Sequence, residues 1–166
     1  MIDLGEKDCC KCQQFNNSNK MCVNQYTITE NGKTVKLVPG KKEQSQAIIL
    51  DKCIICDNEP KCDALFLYKS RRSKYSFLVE LKGSTDIEKA FYQLSYTRDN
   101  RLEYGELIKK FSGIDGIKIV EKFVIVSNGM LSKPQLEKLE NEYRIRVKKI
   151  LYCEASTPVP DLKELI

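Results

Sequence analysis

The chain is predicted to form a mixed α/β fold, in which helices flank a central mixed β-sheet. Short runs rich in Val, Ile, Leu, Phe and Tyr, typical of buried strands, alternate with longer segments whose apolar residues recur at helical spacing. The chain has 166 residues, of which 42% are hydrophobic, and this is enough for one domain with a sizeable core. A second full domain is not expected.

The first 40 residues are predicted to form a cysteine-rich lobe that packs on the core. Residues 1–24 are polar and show no periodic pattern of apolar residues, so they need a stabilising cross-link, such as a bound metal, to become ordered. Asn31-Gly32 stands between alternating runs at 26–29 and 33–38, and Asn-Gly in that position is a strong β-hairpin signal. We therefore assign residues 1–40 to the N-terminal lobe and 41–166 to the core.

The core pattern predicts its elements in a clear order. We expect a helix at 41–51, strands at 62–69 and 74–82, helices at 86–97 and 103–111, a strand at 119–127, a helix from 132 and a strand at 145–153. Asp86 offers an N-cap to the second of these helices, and Pro134 stands in the first turn of the last one, where proline is favoured. The first two strands should pair antiparallel about their short basic tip.

Three ionisable residues are expected to converge at one end of that strand pair. If the lysines that flank the tip face each other, Asp63 faces Glu80; a shift by two residues pairs Asp63 with Lys82 instead. Either register places all three side chains on one face, because side chains alternate along a strand. The first register pairs Phe66 with Phe77 in an apolar layer on the opposite face, and we expect that layer to pack against a helix.

This convergence indicates metal-assisted chemistry. Two facing carboxylates repel and are costly to bury unless a cation lies between them, which suggests a hard divalent metal with oxygen ligands. A lysine beside them can activate a water and stabilise negative charge on a phosphate. Glu-x-Lys is also common at solvated strand ends, and Asp63 is what favours the catalytic interpretation.

Composition narrows the remaining function classes. The chain contains no histidine, which excludes Ser-His and Cys-His nucleophilic schemes and metal nucleases with imidazole ligands. Its net charge of +5 is only mildly basic, so a nucleic-acid footprint needs local clustering of charge. There is neither an apolar run of membrane-spanning length nor a secretory signal pattern, and we expect a cytoplasmic protein without a membrane partner.

The same residues resemble a known nuclease family. Asp63, then Glu80-Leu81-Lys82 on the next strand, then a helix carrying Gln93-Leu94-Ser95-Tyr96, are similar to the motifs of the PD-(D/E)XK nuclease superfamily and its RecB-like members. The resemblance covers residues 41–127. It implies a restriction-endonuclease-like fold and a Mg²⁺-dependent or Mn²⁺-dependent nuclease acting on nucleic acid, with DNA as the expected substrate.

The resemblance also implies roles for individual residues. Asp63 and Glu80 would hold the metal together with the Leu81 carbonyl, and Lys82 would position the attacking water. Gln93 would orient the site or contact the substrate backbone, although an ordinary helix face explains it equally well. The alternative function is a non-catalytic module that binds nucleic acid or protein on the same fold. The oligomeric state stays open, a homodimer included.

Seven of the eight cysteines lie within the first 62 residues, and such crowding in a cytosolic chain suggests metal binding. Two Cys-x2-Cys pairs, Cys9 with Cys12 and Cys53 with Cys56, are predicted to form a structural zinc site. An iron–sulfur cluster is the alternative, because Cys53, Cys56 and Cys62 have the spacing of some nucleases of that superfamily. Other cysteines compete for these positions: Cys10, Cys22 and Cys62.

Overall fold

A computed structural model describes residues 1–13 and 19–166, with only the backbone described at 148 and 149. The strands are β1 (Cys22–Asn24), β2 (Thr27–Glu30), β3 (Lys33–Lys36), β4 (Gln44–Ile49), β5 (Ala64–Lys69), β6 (Lys74–Lys82), β7 (Ile119–Ser127) and β8 (Val147–Tyr152). The helices are α1 (Ile87–Asn100), α2 (Leu102–Ser112) and α3 (Lys133–Glu142), with short 3₁₀ helices at Gly5–Cys10 and Leu162–Leu165.

The strands form two sheets. Five of them lie in the order β4-β5-β6-β7-β8, antiparallel from β4 to β6 and parallel from β6 to β8. The other three form the antiparallel sheet β1-β2-β3, whose β2–β3 hairpin turns at Asn31-Gly32 as predicted. The mixed α/β class with a central mixed sheet is therefore confirmed.

The helices cover one face of the five-stranded sheet. Between β6 and β7 the chain forms α1 and α2, and between β7 and β8 it forms α3. The apolar side of α1 packs on this face, where Phe91 and Leu94 join Leu65 and Leu78 in one buried cluster. No helix of the described residues is both long and apolar enough to cross a membrane.

The helix predicted at 41–51 is wrong, because this segment forms strand β4. Ile48 contributes to the core under the helices, whereas Ala47 and Ile49 contribute to the core on the opposite face. A strand buried on both faces has a continuous apolar run, and a short run of that kind does not distinguish a strand from a helix. This strand pairs with β5 along its whole length.

The packing predicted for Phe66 and Phe77 is also corrected. The two rings face each other across β5 and β6 and are fully buried, but the layer they belong to is not covered by α1, α2 or α3. It packs instead against the three-stranded sheet, through Ile28 and Val35, and against the C-terminal 3₁₀ helix, through Leu162. The five-stranded sheet is thus enclosed between helices and a second sheet.

Candidate active site

The register of β5 and β6 brings the predicted acidic residues together. Lys69 pairs with Lys74 and the ladder continues to Ala64 with Val79, so Asp63 lies opposite Glu80, just beyond the last paired residues. This is the first of the two registers considered from the sequence. Lys82 follows on the same strand at the end of the parallel ladder with β7, where it pairs with Ser127.

Asp63 and Glu80 are linked by main-chain hydrogen bonds. The Asp63 N–H donates to Glu80 Oε2 at 3.1 Å, and the Leu81 N–H donates to Asp63 Oδ2 at 2.7 Å. The other Glu80 oxygen, Oε1, lies 2.6 Å from Lys82 Nζ. Each carboxylate therefore has one oxygen held by the backbone of the neighbouring strand. Such contacts orient the side chains without a metal.

The main chain of Leu81 faces Asp63. The N–H and C=O of a strand residue point towards the same neighbouring strand. Since the Leu81 N–H reaches Asp63, its carbonyl also faces the Asp63 side of β6. The two carboxylates and this carbonyl are oxygen ligands of the kind that Mg²⁺ and Mn²⁺ prefer, so the residues present fit a hard divalent cation.

Burial makes the negative charge of this pair unfavourable. Glu80 is fully buried and Asp63 is 5% exposed. Burial raises the pKa of Glu80 to about 7 although Lys82 lowers it, and burial together with the Glu80 charge raises the pKa of Asp63 well above its usual range. Burial disfavours the charge on Lys82, but the carboxylates, Glu80 foremost, outweigh it and raise the pKa of this lysine. A divalent cation would relieve the repulsion between the acids.

Gln93 does not touch the carboxylates. Its Nε2 donates to the Lys61 carbonyl at 2.7 Å, and its own Oε1 is buried with no hydrogen-bond partner in the described part of the chain. One turn later, Thr97 Oγ1 accepts from the Cys62 N–H at 2.8 Å. These two side chains of α1 thus hold the backbone of Lys61 and Cys62, the two residues that precede Asp63. Tyr96 lies farther out and donates to Glu59.

Glu30 is a residue of this site that the sequence did not indicate. It ends β2, and its charge contributes to the raised pKa values of Asp63, Glu80 and Lys82. No motif spacing connects residue 30 with residues 63 and 80, because they meet only when the two sheets pack. The one sequence feature that could have drawn attention to Glu30 is its place as an acid directly before the Asn31-Gly32 turn.

Two cavities share Asp51 as a lining residue, and neither of them is lined by Asp63, Glu80 or Lys82. The larger, about 610 Å³, lies along the β2–β3 turn and includes Glu30 and Lys52. The smaller, about 280 Å³, lies against α1 and includes Lys61 and Gln93. Basic side chains line both cavities.

The cysteines are grouped differently from the predicted zinc set. The sulfur atoms of Cys9, Cys10 and Cys53 lie within 4.8 Å of one another, a group that could hold a metal ion. Cys10 and Cys53 are joined by a disulfide. Cys12 is not in this group, because it forms a disulfide with Cys22. The predicted ligands Cys9 and Cys53 therefore come together, whereas Cys12 does not join them.

Two further cysteines had been considered as metal ligands. Cys56 is exposed and its thiol donates to the Cys53 carbonyl at 3.3 Å, outside the close group of sulfurs. Cys62 is fully buried beside Asp63, and burial raises the pKa of its thiol well above the usual value. A buried neutral thiol next to the carboxylates is a poor candidate for a cluster ligand.

No family model matches the chain, and no curated protein or solved structure shows significant similarity to it. Conclusions about function therefore depend on the two buried carboxylates, the neighbouring lysine and the cysteine group.

Proposed function

We propose that the chain is a Mg²⁺-dependent nuclease of the PD-(D/E)XK type, with a restriction-endonuclease-like core, that hydrolyses phosphodiester bonds in DNA. The observation that carries the proposal is the meeting of Asp63, Glu80 and Lys82 at the end of one buried strand pair. Charged side chains that only make a strand end soluble would be exposed to water. Here both carboxylates are buried, and burying two charged acids costs free energy unless they bind a cation.

Each residue has a role in this reaction that follows from its position. The Asp63 and Glu80 carboxylates and the Leu81 carbonyl would hold the cation. When bound, Mg²⁺ polarises a phosphoryl oxygen and lowers the pKa of an attacking water. Lys82, held by Glu80 Oε1 and 17% exposed at its side chain, directs its remaining protons to that water and to the negative charge that develops on the phosphate. Gln93 positions the strand that carries Asp63.

The lining of the cavities supports a nucleic-acid substrate. Lys20 and Lys52 lie along the larger cavity, and Lys89 lies along the smaller one. Lys61 also lines the smaller cavity, but its ammonium is held by Asp51 and by main-chain carbonyls. Phosphate contacts from lysines position a nucleic acid without reading its sequence. The affinity should therefore fall steeply with salt concentration, since each neutralised phosphate releases counterions.

The test is cleavage of plasmid DNA, linear DNA and RNA of the same sequence, with Mg²⁺ or Mn²⁺ and with EDTA. Asp63→Asn and Glu80→Gln should abolish cleavage and weaken Mn²⁺ binding. Lys82→Ala should abolish cleavage and keep Mn²⁺ binding, because the lysine is not a ligand. Glu106→Gln and Lys109→Ala, which make the same changes at exposed positions, should retain both properties.

Cleavage that continues unchanged in all three site variants would overturn the proposal. A wild-type chain that binds DNA or RNA without cleaving it would favour the second candidate, the non-catalytic binding module. Equal cleavage of DNA and RNA would keep the nuclease and remove the preference for DNA.

We further propose a structural Zn²⁺ site for the reduced chain, at Cys9, Cys10 and Cys53, with Cys56 as the fourth ligand. Four thiolates about 2.3 Å from a tetrahedral zinc lie about 3.8 Å apart, a spacing open to the three sulfurs only once the Cys10–Cys53 disulfide is reduced and its sulfurs separate. Cys56 is three residues from Cys53, is exposed, and its thiol contacts the Cys53 carbonyl at 3.3 Å. The Cys10–Cys53 disulfide competes with this site, which therefore needs reducing conditions.

Elemental analysis of protein purified under reductant tests the metal. Zinc near one atom per chain is expected, retained in Cys12→Ser and lost in Cys53→Ser. Retention of zinc in Cys53→Ser together with its loss in Cys12→Ser would overturn this ligand set. Iron with broad visible absorption would select the cluster instead.

A further inference from the structure

A cavity of about 360 Å³ lies at the end of β5 and β6 that is opposite to the buried acids. It is lined by residues 41–44, where β4 begins, and by residues 69–71, where the chain turns from β5 towards β6. The register holds these segments side by side, because the first residue of β4 pairs with Lys69 and Lys69 pairs with Lys74. Three strands therefore bring their ends to one rim of the sheet.

Four cationic residues, here named the basic patch, lie at this cavity and on the adjoining turn. They are Lys41, Lys42, Arg71 and Arg72, and all four are exposed. Among the residues that the structure describes, none of the four forms an ion pair with a carboxylate. Their positive charge is therefore available to a ligand.

Glu43 and Asp115 do not offset the charge of the basic patch. Glu43 lines the cavity, but its carboxylate forms an ion pair with Lys163. Asp115 forms ion pairs with the two lysines at the ends of the strands, Lys69 at 2.9 Å and Lys74 at 2.7 Å. Because each carboxylate already has a cation of its own, the rim keeps a net positive charge.

The turn between β5 and β6 holds the two arginines of the patch in place. The Ser70 N–H donates to the Ser73 carbonyl at 2.9 Å, and the two serine hydroxyls are 2.7 Å apart. Ser70 Oγ also accepts from the N–H groups of Arg72 and Ser73, at 3.3 and 3.1 Å. The arginines thus stand on an ordered backbone, and a guanidinium group can bind two phosphate oxygens at once.

The extent of the basic patch suits a polyanion better than a single ion. Adjacent strands lie about 4.8 Å apart, so the rim from β4 to β6 extends about 10 Å. Successive phosphates of one DNA strand advance about 3.4 Å along the helix axis. The basic patch can therefore face about three phosphates at once, whereas an isolated anion would meet only part of it.

We infer that the basic patch is a second contact surface for the sugar–phosphate backbone of DNA, separate from the acidic centre. The inference rests on the proposed function for the choice of DNA as the polyanion. Strand β6 is nine residues long, so its ends lie about 26 Å apart, the length of about eight base pairs. The patch therefore holds a part of the DNA away from the bond that is hydrolysed, and it contacts phosphates without reading the base sequence.

The test is binding of the full chain to a fluorescent DNA duplex of about 20 base pairs, longer than the distance from the patch to the acids. Fluorescence anisotropy in EDTA measures the affinity without cleavage. Arg71→Gln with Arg72→Gln, and Lys41→Gln with Lys42→Gln, should each weaken it roughly tenfold or more, because two phosphate contacts are lost. In each double variant the slope of log affinity against log salt concentration should also become shallower by about two.

The matched control is Lys133→Gln with Lys138→Gln, which removes two exposed charges from α3 and should bind the duplex as the wild type does. Thermal unfolding establishes that each variant is folded. Should one pair of patch substitutions prevent folding, the other pair decides.

The possible results separate this inference from the proposed function. Wild-type affinity in both patch variants overturns the inference, and the nuclease proposal stands if Asp63→Asn still loses cleavage. Weaker binding in both patch variants, with the control unchanged, supports the inference even when the wild type cleaves no DNA. Equal weakening in the control shows a general effect of charge and overturns it. Binding to vesicles of anionic phospholipid but not to the duplex also overturns it, because the patch would then contact a membrane surface.

Discussion

The main-chain N–H of Asp63 donates to Glu80 Oε2 across two antiparallel strands, so the two acids hold each other in place in the interior of the protein. The protein thereby maintains two carboxylates that repel each other when both are charged. Such an arrangement stabilises the fold only when a proton or a cation compensates the charge. The effect of the buried pair on the free energy of unfolding and its effect on metal binding can both be measured.

Glu80 makes the stability of the metal-free protein depend on pH. Its folded-state pKa of about 7 lies above the ordinary value of 4.5, so its contribution is complete below about pH 4.5 and is lost as the pH rises through 7. We expect the free energy of unfolding to fall by on the order of 3 kcal/mol between pH 5 and pH 8. Urea unfolding in EDTA measures this fall. Glu80→Gln should make this fall smaller, with the remainder due to Asp63, whose pKa burial also raises, whereas Glu106→Gln should leave it unchanged. An equally steep fall in Glu80→Gln would contradict the assignment.

Gly129 permits a close approach to Ser84 and Ile87, in the segment that leads from β6 into α1. A Cβ at this position would lie 2.7 Å from the Ser84 carbonyl oxygen and 2.9 Å from Ile87 Cδ1, so Gly129→Ala must displace the backbone that follows β6. We expect a loss of about 1–3 kcal/mol of stability, as overpacking produces, and reduced cleavage. Gly105→Ala is the control, because Gly105 is exposed on α2 with open space around it and should gain up to about 1 kcal/mol. Thermal unfolding of both variants measures the difference, and equal stabilities would contradict the close contact.

Phe66 and Phe77 join the two sheets. Alanine at either position should reduce the free energy of unfolding by about 3–5 kcal/mol, the usual range for a core phenylalanine. Leu102→Ala is the control, because that side chain is 82% exposed and should stay within about 0.5 kcal/mol of the wild type. Amide hydrogen exchange should also show faster opening of β2 and β3 in the two variants. Loss of protection confined to α1 would indicate that these rings pack on the helix.

Thr97 connects α1 to the segment that enters Asp63. Thr97→Val removes the acceptor of the Cys62 N–H and leaves that donor buried, which should cost about 1–3 kcal/mol. Because the Asp63 backbone follows directly, we expect weaker Mn²⁺ binding as well. Thr85→Val makes the same change at an exposed position and should have neither effect. Chemical denaturation and Mn²⁺ titration test the pair, and a wild-type affinity in Thr97→Val would show that α1 does not position the acids.

The approach of Asp63 to Glu80 could be predicted because it depends on local geometry alone. The strands are consecutive, their connection is short, and an alternating pattern of side chains admits few registers. The contact that Gln93 makes could not be predicted from the sequence. Its position on α1 followed from helical spacing, but its hydrogen bond to the Lys61 carbonyl depends on how the helix lies against the sheet.

The sequence by itself determined the hairpins, the three helices and the placing of Asp63, Glu80 and Lys82 on one strand pair, because alternation, helical spacing and turn residues act over short distances. Only the tertiary structure decided that 44–49 is a strand, since a run buried on both faces has no period of its own. Only the packing of the two sheets brings Glu30 to Asp63, and only the folded chain selects Cys10 rather than Cys12 as the neighbour of Cys53. These contacts join residues far apart in the chain, and no local pattern specifies which of them will meet.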